Sequence, residues 1–280
     1  MSKVALFGAG GKMGMRLARN LMATDFAVAH VEVVPAGRAA LKDALGIDCV
    51  SAAQALAGAQ AVILAVPDRL IGTIVAANLD LIAPGTLLVI LDAAAPHAGT
   101  VPRRDDVPLF VTHPCHPPIF SDENDPVARK DHFGGVAARQ AIVCAIDNGT
   151  EADYALGERI ARAIYAPVMR AHRCTIEAIA IMEPALSETV GATFALALRD
   201  ATDEAVRRGV PRDAAFDFIL GHLNIELAIA FDIFPGGKFS DGALKAIAES
   251  KPVIFQPDWL NRVFDPDAVL ASVRSIAMPG

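Results

Sequence analysis

No apolar run in this 280-residue chain approaches the length of a membrane span; runs such as "AVILAV" (Ala61 to Val66) stop far short of it. There is no basic block either. The formal net charge is -7, which argues against nucleic acid as the main partner. An acidic total still permits an anionic substrate, because a site needs only a few local donors. Cysteine is scarce: Cys49, Cys115, Cys144 and Cys174 are widely scattered. They read as reduced thiols in a cytoplasmic protein, which makes "NGT" at Asn148 a chance glycosylation match. The opening "MSKVALFGAGG" enters a strand pattern at once, without a signal-peptide hydrophobic region and cleavage site. Internal repeats, low-complexity segments and long linkers are also lacking.

What is present is enough for a substantial core, with 53% hydrophobic and 20% charged residues. Short apolar runs alternate with helical patterns in the first half. "KVALFG" (Lys3 to Gly8), "AVAHVEVV" (Ala27 to Val34), "AVILAV", "TLLVIL" (Thr86 to Leu91), "PLFVT" (Pro108 to Thr112) and "QAIVCAI" (Gln140 to Ile146) read as strands. A helix is predicted over 13–23, another from Pro35 to near Gly46, and a short one capped by Ser51. This alternation predicts a Rossmann-type, doubly wound parallel sheet of the α/β class. Near residue 172 strands give way to helical patterns over about 175–208, 212–233, 241–250 and 266–276, read from apolar periodicity. The expected division is therefore a dinucleotide-binding domain over 1–172 and an all-α domain over 173–280.

"GAGGKMG" (Gly8 to Gly14) lies between the first strand and the first helix. Glycines there let the backbone turn sharply and approach a pyrophosphate, while the helix N-terminus offers free N–H groups. The spacing departs from G-x-G-x-x-G and is framed by Gly8, Gly11 and Gly14, with Lys12 and Met13 inside it. A plain glycine turn is the bland alternative. Glu32 follows Gly14 by 18 residues, near the end of the second strand. A carboxylate there bonds a ribose 2′-hydroxyl and repels a 2′-phosphate, so NAD is favoured over NADP; a solvated strand end is the alternative. Pro67 and Asp68, in "AVPD", are placed to line the nicotinamide side.

"THPCHPPIF" (Thr112 to Phe120) follows a strand and belongs on the ligand side of such a sheet. Prolines fix the backbone and remove donors, so His113 and His116 are presented outside regular structure. Histidine suits acid/base work or metal ligation; a proline-stiffened loop with a satisfied histidine is the competing reading. Cys115 reads as a packed thiol, since no acyl-transfer constellation accompanies it.

"MEPALSETV" (Met182 to Val190) sets Glu183 and Glu188 among apolar helix residues. Carboxylates so placed are rarely buried unless paired or coordinating a metal. A straight helix would hold the two about 140° apart. Pro184 should kink or start the helix and turn both towards one cleft, or one of them is purely structural. His222 and Glu226 stand four apart, a metal-compatible spacing that is more often a solvated polar face.

"AVILAVPD", "APGTLLVILDAAAP" and "RRGVPRDAAF", after the glycine loop, resemble the 6-phosphogluconate and β-hydroxyacid dehydrogenase superfamily over nearly the whole chain. The lysine that those enzymes carry early in the helical half is absent; Glu183 stands in its place and Ser187 in that of the asparagine four residues on. Lysine-assisted oxidation is not what the sequence provides. "THPCHPPIF", "MEPALSETV", "PGGKFSDGA" and "QPDWLNRVF" are most similar to the superfamily's oxidoisomerases. That resemblance implies NAD-dependent oxidation of a branched sugar acid, then a skeletal shift in the manner of ketol-acid reductoisomerase, with divalent metal held by helix glutamates. It implies His113 as acid/base, Glu183 as a further base or ligand, and His116 with Glu188 as metal ligands, zinc-like rather than magnesium-like. A homodimer through helix packing and Lys238 touching a substrate carboxylate are further implications. Two alternatives stay open: a metal-free hydroxyacid dehydrogenase, and a non-catalytic dinucleotide-binding sensor.

Overall fold

The computed structural model of the chain describes residues 2–277, so the outer ends of the two expected domains lie outside the described residues. Strands β1 (Lys3–Phe7), β2 (Ala27–Val31), β3 (Ala61–Leu64), β4 (Leu87–Ile90), β5 (Leu109–Pro114), β6 (Gln140–Asp147) and β7 (Val168–Arg173) form one sheet in the order β2-β1-β3-β4-β5-β6-β7. Helices α1 (Lys12–Leu21), α2 (Pro35–Leu45), α3 (Ala52–Leu56), α4 (Asp68–Asn78), α5 (Ala94–His97) and α6 (Glu151–Ile164) are interleaved with the strands. All neighbouring strands run parallel except β5 and β6. The expected sheet is thus a Rossmann-type one with a single antiparallel step. β3 and β4 are buried along their whole length, as parallel strands covered on both faces must be.

β7 is the one strand that the apolar pattern did not announce. Its sequence, VMRAHR, is half polar and it lies at the sheet edge, where one flank needs no apolar cover. Leu6, Leu17, Ile63, Phe110, Ile142 and Ile160, from strands and from both α1 and α6, are fully buried in one core. Each such side chain stabilises the fold by roughly 1.5–3 kcal/mol of apolar transfer.

Helix caps follow the sequence closely. Pro35 begins α2, and Gly46 ends it with a φ of 69°, in the left-handed region where glycine lacks the Cβ clash. Ser51 caps α3 in a reciprocal box with Gln54.

Beyond β7 the chain is helical: α7 (Ile176–Ala180), a π-helix over Ile181–Ala192, α8 (Thr193–Arg207), α9 (Arg212–Ala230), α10 (Asp241–Ile254), α11 (Trp259–Val263) and α12 (Pro266–Ala277). Pro184 lies inside the π-helix. Its missing N–H and its ring favour a wider turn, and Thr189 Oγ1 donates to the Pro184 carbonyl oxygen at 2.7 Å. By backbone contacts the chain forms two compact units. One takes the chain through Glu183 and again from Leu270; the other is Pro184–Val269. The break therefore falls after α7, later than the change of pattern near residue 172. Among the described residues, no helix is long and apolar enough to cross a membrane.

Candidate functional site

Both candidate regions of the first unit lie at the carboxyl ends of sheet strands. The first is built from backbone. Gly8, directly after β1, has a φ of 72°, and a Cβ there would collide with the Ala65 carbonyl. Gly14 lies buried in α1, where a Cβ would collide with the Gly8 carbonyl oxygen. Glycine is required at both places by close approach of neighbouring backbone. Gly11 caps α1 without any side-chain cap, which leaves the first N–H groups of the helix for a ligand. Lys12 and Met13 form the first turn of α1, with Lys12 exposed and Met13 half-buried.

Glu32, just past β2, is 6% exposed. Its carboxylate accepts the Gly10 N–H at 2.9 Å and the Val34 N–H at 2.8 Å, tying glycine loop to strand end. Each oxygen retains lone pairs for a further donor. Gly8, Gly11, Glu32 and Pro67 line one 440 Å³ cavity together with Val33, Leu70 and other apolar groups. An apolar slot with an acidic side chain at its edge suits an adenosine moiety. Asp68 opens α4 next to Pro67.

The second region is built from side chains. Ile90 of β4 pairs with Val111 of β5 in parallel register. Carrying that register two residues on sets Asp92 beside His113. α7 packs against α5 and β6, and the chain leaving it brings in Glu183. Asp92, His113 and Glu183 each offer one donor atom, all within 4.8 Å of one another. His113 Nδ1 lies 3.0 Å from the Leu91 carbonyl oxygen and 3.6 Å from Asp92 Oδ2; His113 Nε2 lies 3.8 Å from Glu183 Oε1. A carbonyl only accepts, so Nδ1 carries the proton and Nε2 presents its lone pair towards Glu183. Burial holds the imidazole below the ordinary histidine value, against the opposing pull of Asp92 and of the Leu91 carbonyl, with His116 adding to the lowering. His113 is therefore neutral and basic at Nε2 near pH 7. Asp92 and Glu183 keep only 15% and 19% of their side-chain surface, so little water competes for these groups.

The spacing also fits a metal. Ligand atoms across a divalent ion are separated by up to twice a bond of roughly 2.0–2.5 Å. Two carboxylates with one imidazole form a mixed oxygen–nitrogen donor set, open to magnesium-, calcium- or zinc-like ions. Asp92 carries only a weak signal in the sequence, that of a polar residue shortly after the buried strand β4, and its place beside His113 comes from sheet register. His116, expected as a ligand, lies outside this cluster. Its Nδ1–H donates to the Phe133 carbonyl oxygen at 2.8 Å, and its ring centroid is 6.3 Å from that of His113. Glu188 belongs to the second unit and to the π-helix. In the same unit His222 turns Nδ1–H to the Phe218 carbonyl at 2.8 Å and stacks on that ring, with centroids 3.9 Å apart. A larger open cavity of 740 Å³ lies within the long loop after β5, between Pro117, Asp122, Glu123, Arg129 and His132.

Comparison with known proteins matches residues 3–98 to the family described as the NAD binding domain of 6-phosphogluconate dehydrogenase. Residues 121–277 match the phosphogluconate dehydrogenase (decarboxylating) C-terminal family. The chain is 55% identical, over 99% of its length and 100% of the relative's, to a D-apionate oxidoisomerase of Rhizobium rhizogenes. It is 52% identical to a D-apionate oxidoisomerase of Cupriavidus necator, over 98% of this chain and 99% of that one. A solved structure from Cupriavidus necator, described as a semialdehyde dehydrogenase NAD-binding protein in complex with calcium and NAD, superposes with a TM-score of 0.97. That protein is 52% identical, with 99% of each chain covered.

Proposed function

This chain belongs to the D-apionate oxidoisomerases within the 6-phosphogluconate dehydrogenase family and is an NAD-dependent oxidoreductase acting on a sugar acid; from that premise we propose that it converts D-apionate to 3-oxo-isoapionate. The observation that carries the reading is the Asp92–His113–Glu183 cluster, with His113 Nε2 turned to receive a proton. NAD, when bound, accepts the hydride, and a divalent cation, when bound, stabilises negative charge developing on adjacent substrate oxygens.

The remaining work falls to the chain's own side chains. His113 takes the proton of the secondary hydroxyl as its carbon becomes a carbonyl, so that one alcohol and NAD yield one ketone, NADH and a proton. In the shift that follows, a carbon group moves from the tertiary alcohol carbon to the adjacent carbonyl carbon. The tertiary hydroxyl loses its proton and becomes the new carbonyl, while the former carbonyl oxygen gains one. No electrons leave in that step. Glu183 faces His113 Nε2 and is placed to exchange these protons or, with Asp92, to ligate the cation while His113 serves as the base. Gly8, Gly11, Lys12, Met13, Gly14, Glu32, Pro67 and Asp68 are assigned to the dinucleotide, with Glu32 selecting NAD over NADP. The structural relative solved with calcium favours a hard, oxygen-binding ion over the zinc-like one.

We read the protein as a cytoplasmic homodimer. Its second unit leaves Leu196, Phe218, Leu220, Phe231 and Val253 largely exposed, apolar surface that a second copy would cover in part. Light scattering at micromolar concentration tests this directly; a monomer would remove it.

The decisive test is elemental analysis of untagged protein purified without added metal, alongside NAD reduction on D-apionate and linear sugar acids. The expected result is a stoichiometric divalent ion whose chelation stops D-apionate turnover and whose return restores it. Full activity in chelator would leave a metal-free dehydrogenase. His116 and Glu188, the other candidate ligands, are checked in the same assay. Alanine variants that retain the ion exclude both residues as required ligands and leave the Asp92 and Glu183 carboxylates as the candidates.

A further inference from the structure

We propose that Phe133 is a positioning residue for His116: it fixes that imidazole beside His113 and anchors it to α1, the helix that opens on the glycine loop. The proposal rests on reading the His113 cluster as the site of oxidation.

His116 has a φ of 61°, in the left-handed region, and stands directly before Pro117. A proline already restricts the residue before it to extended backbone. A non-glycine residue holds such a conformation only where its surroundings over-determine it. Phe133 supplies two such restraints. Its carbonyl oxygen accepts the His116 Nδ1–H at 2.8 Å, and its ring packs on the imidazole with centroids 4.8 Å apart at 58°. The hydrogen bond sets the tautomer and leaves Nε2 of His116 as an acceptor. The two histidine rings then meet edge to face, 6.3 Å apart at 89°.

Phe133 is itself held from α1. The Arg16 guanidinium lies 3.9 Å from its ring centroid, a cation–π contact, with the Lys12 ammonium at 6.0 Å. One turn further along α1, Asn20 Nδ2 donates to the Gly135 carbonyl at 3.2 Å. The Asp131 carboxylate accepts the N–H groups of Gly134, Val136, Ala137 and Ala138 and closes the turn that carries Phe133. The position of the His116 imidazole is thus set from α1, the helix that opens on the glycine loop.

The test uses the full chain with labelled histidine and saturating NADH. The His116 signals are identified by their absence in His116→Ala. Phe133→Leu keeps apolar bulk but removes the ring, whereas Phe133→Tyr keeps the ring. The leucine variant should move the His116 ring protons away from their ring-current position. It should lower kcat by roughly tenfold or more, since small misplacements near the chemistry are costly. The KM for NAD should stay within about twofold, and the tyrosine variant should restore both readouts. In a His116→Ala background Phe133→Leu should cost less than about twofold more, the signature of residues acting as one unit. Unmoved His116 signals with unchanged kcat, or an equal loss in the His116→Ala background, would overturn the proposal. The magnetic-resonance arm needs no turnover. A wild-type protein inactive on D-apionate would refute the proposed function and still leave this contact measurable.

Discussion

The proposed dinucleotide end and the proposed acid/base end of the first unit are both formed at carboxyl ends of strands, yet they are made differently. At the proposed dinucleotide end the candidate groups are mostly backbone: Gly11 at the start of α1 and Gly8 in a left-handed turn, with one carboxylate, Glu32, clamped by two backbone N–H groups. At the proposed acid/base end the candidate groups are side chains from three distant stretches, Asp92, His113 and Glu183. A backbone cradle tolerates no added Cβ but asks little of side-chain chemistry. A side-chain cluster needs particular functional groups but leaves the backbone ordinary. The two ends should therefore fail separately, one in affinity and the other in rate.

The largest break should come at His113. His113→Ala removes the only nitrogen lone pair of the cluster, and a positioned proton acceptor contributes about 10²–10⁴-fold to rate. Turnover should fall by that factor, while NADH binding, followed by fluorescence titration, should not change. Equal losses in both would mean that the two ends are one site. Next in size is Glu32→Gln. An amide keeps one acceptor oxygen but turns an NH₂ towards either the Gly10 or the Val34 N–H. Losing the charged hydrogen bond proposed between Glu32 and the ribose 2′-hydroxyl costs roughly 1.5–3 kcal/mol, or about 10–100-fold in NAD affinity. The preference against NADP should shrink in the same variant, because the repelling charge has gone. With NAD saturating, kcat should hold; a kcat loss like that of His113→Ala would erase the distinction.

The same difference explains what could be read in advance. Gly8, Gly11 and Glu32 belong to a single strand–helix–strand stretch, so spacing alone is enough to make them candidates. The alternating strands β1 to β6 were visible for the same local reason, through unbroken apolar runs. Asp92 escaped because its partner is set by sheet register between β4 and β5, which no linear spacing encodes. β7 escaped because an edge strand carrying Arg170, His172 and Arg173 has no apolar period to show. Glu183 was visible as a carboxylate in an apolar helix, but the side on which it would emerge depends on the π-helix around Pro184. His116 was visible as a presented histidine. What holds it lies 17 residues on, in a turn whose order comes from Asp131.

That turn gives the smallest effect, and one confined to the acid/base end. Burial works to raise the Asp131 carboxyl, but the N–H groups of Ala137, Ala138, Val136 and Gly134 outweigh it, so the group titrates below the ordinary aspartate value. A folded-state value depressed in this way contributes stability that is present above the unfolded value and is lost as pH falls through the folded one. The carboxylate stays ionised in the window between the two, and the turn should stay closed there. Below the folded value, protonation removes acceptor capacity, and the amides of Val136, Ala137 and Ala138 should lose protection from hydrogen exchange. Asp131→Asn should show that loss already at neutral pH, with no further dependence on acid. Amides at the other end, such as those of Gly10 and Val34, depend on Glu32 and should keep their own protection in that variant. Loss of protection at both ends together in Asp131→Asn would show that a single cooperative unit spans them.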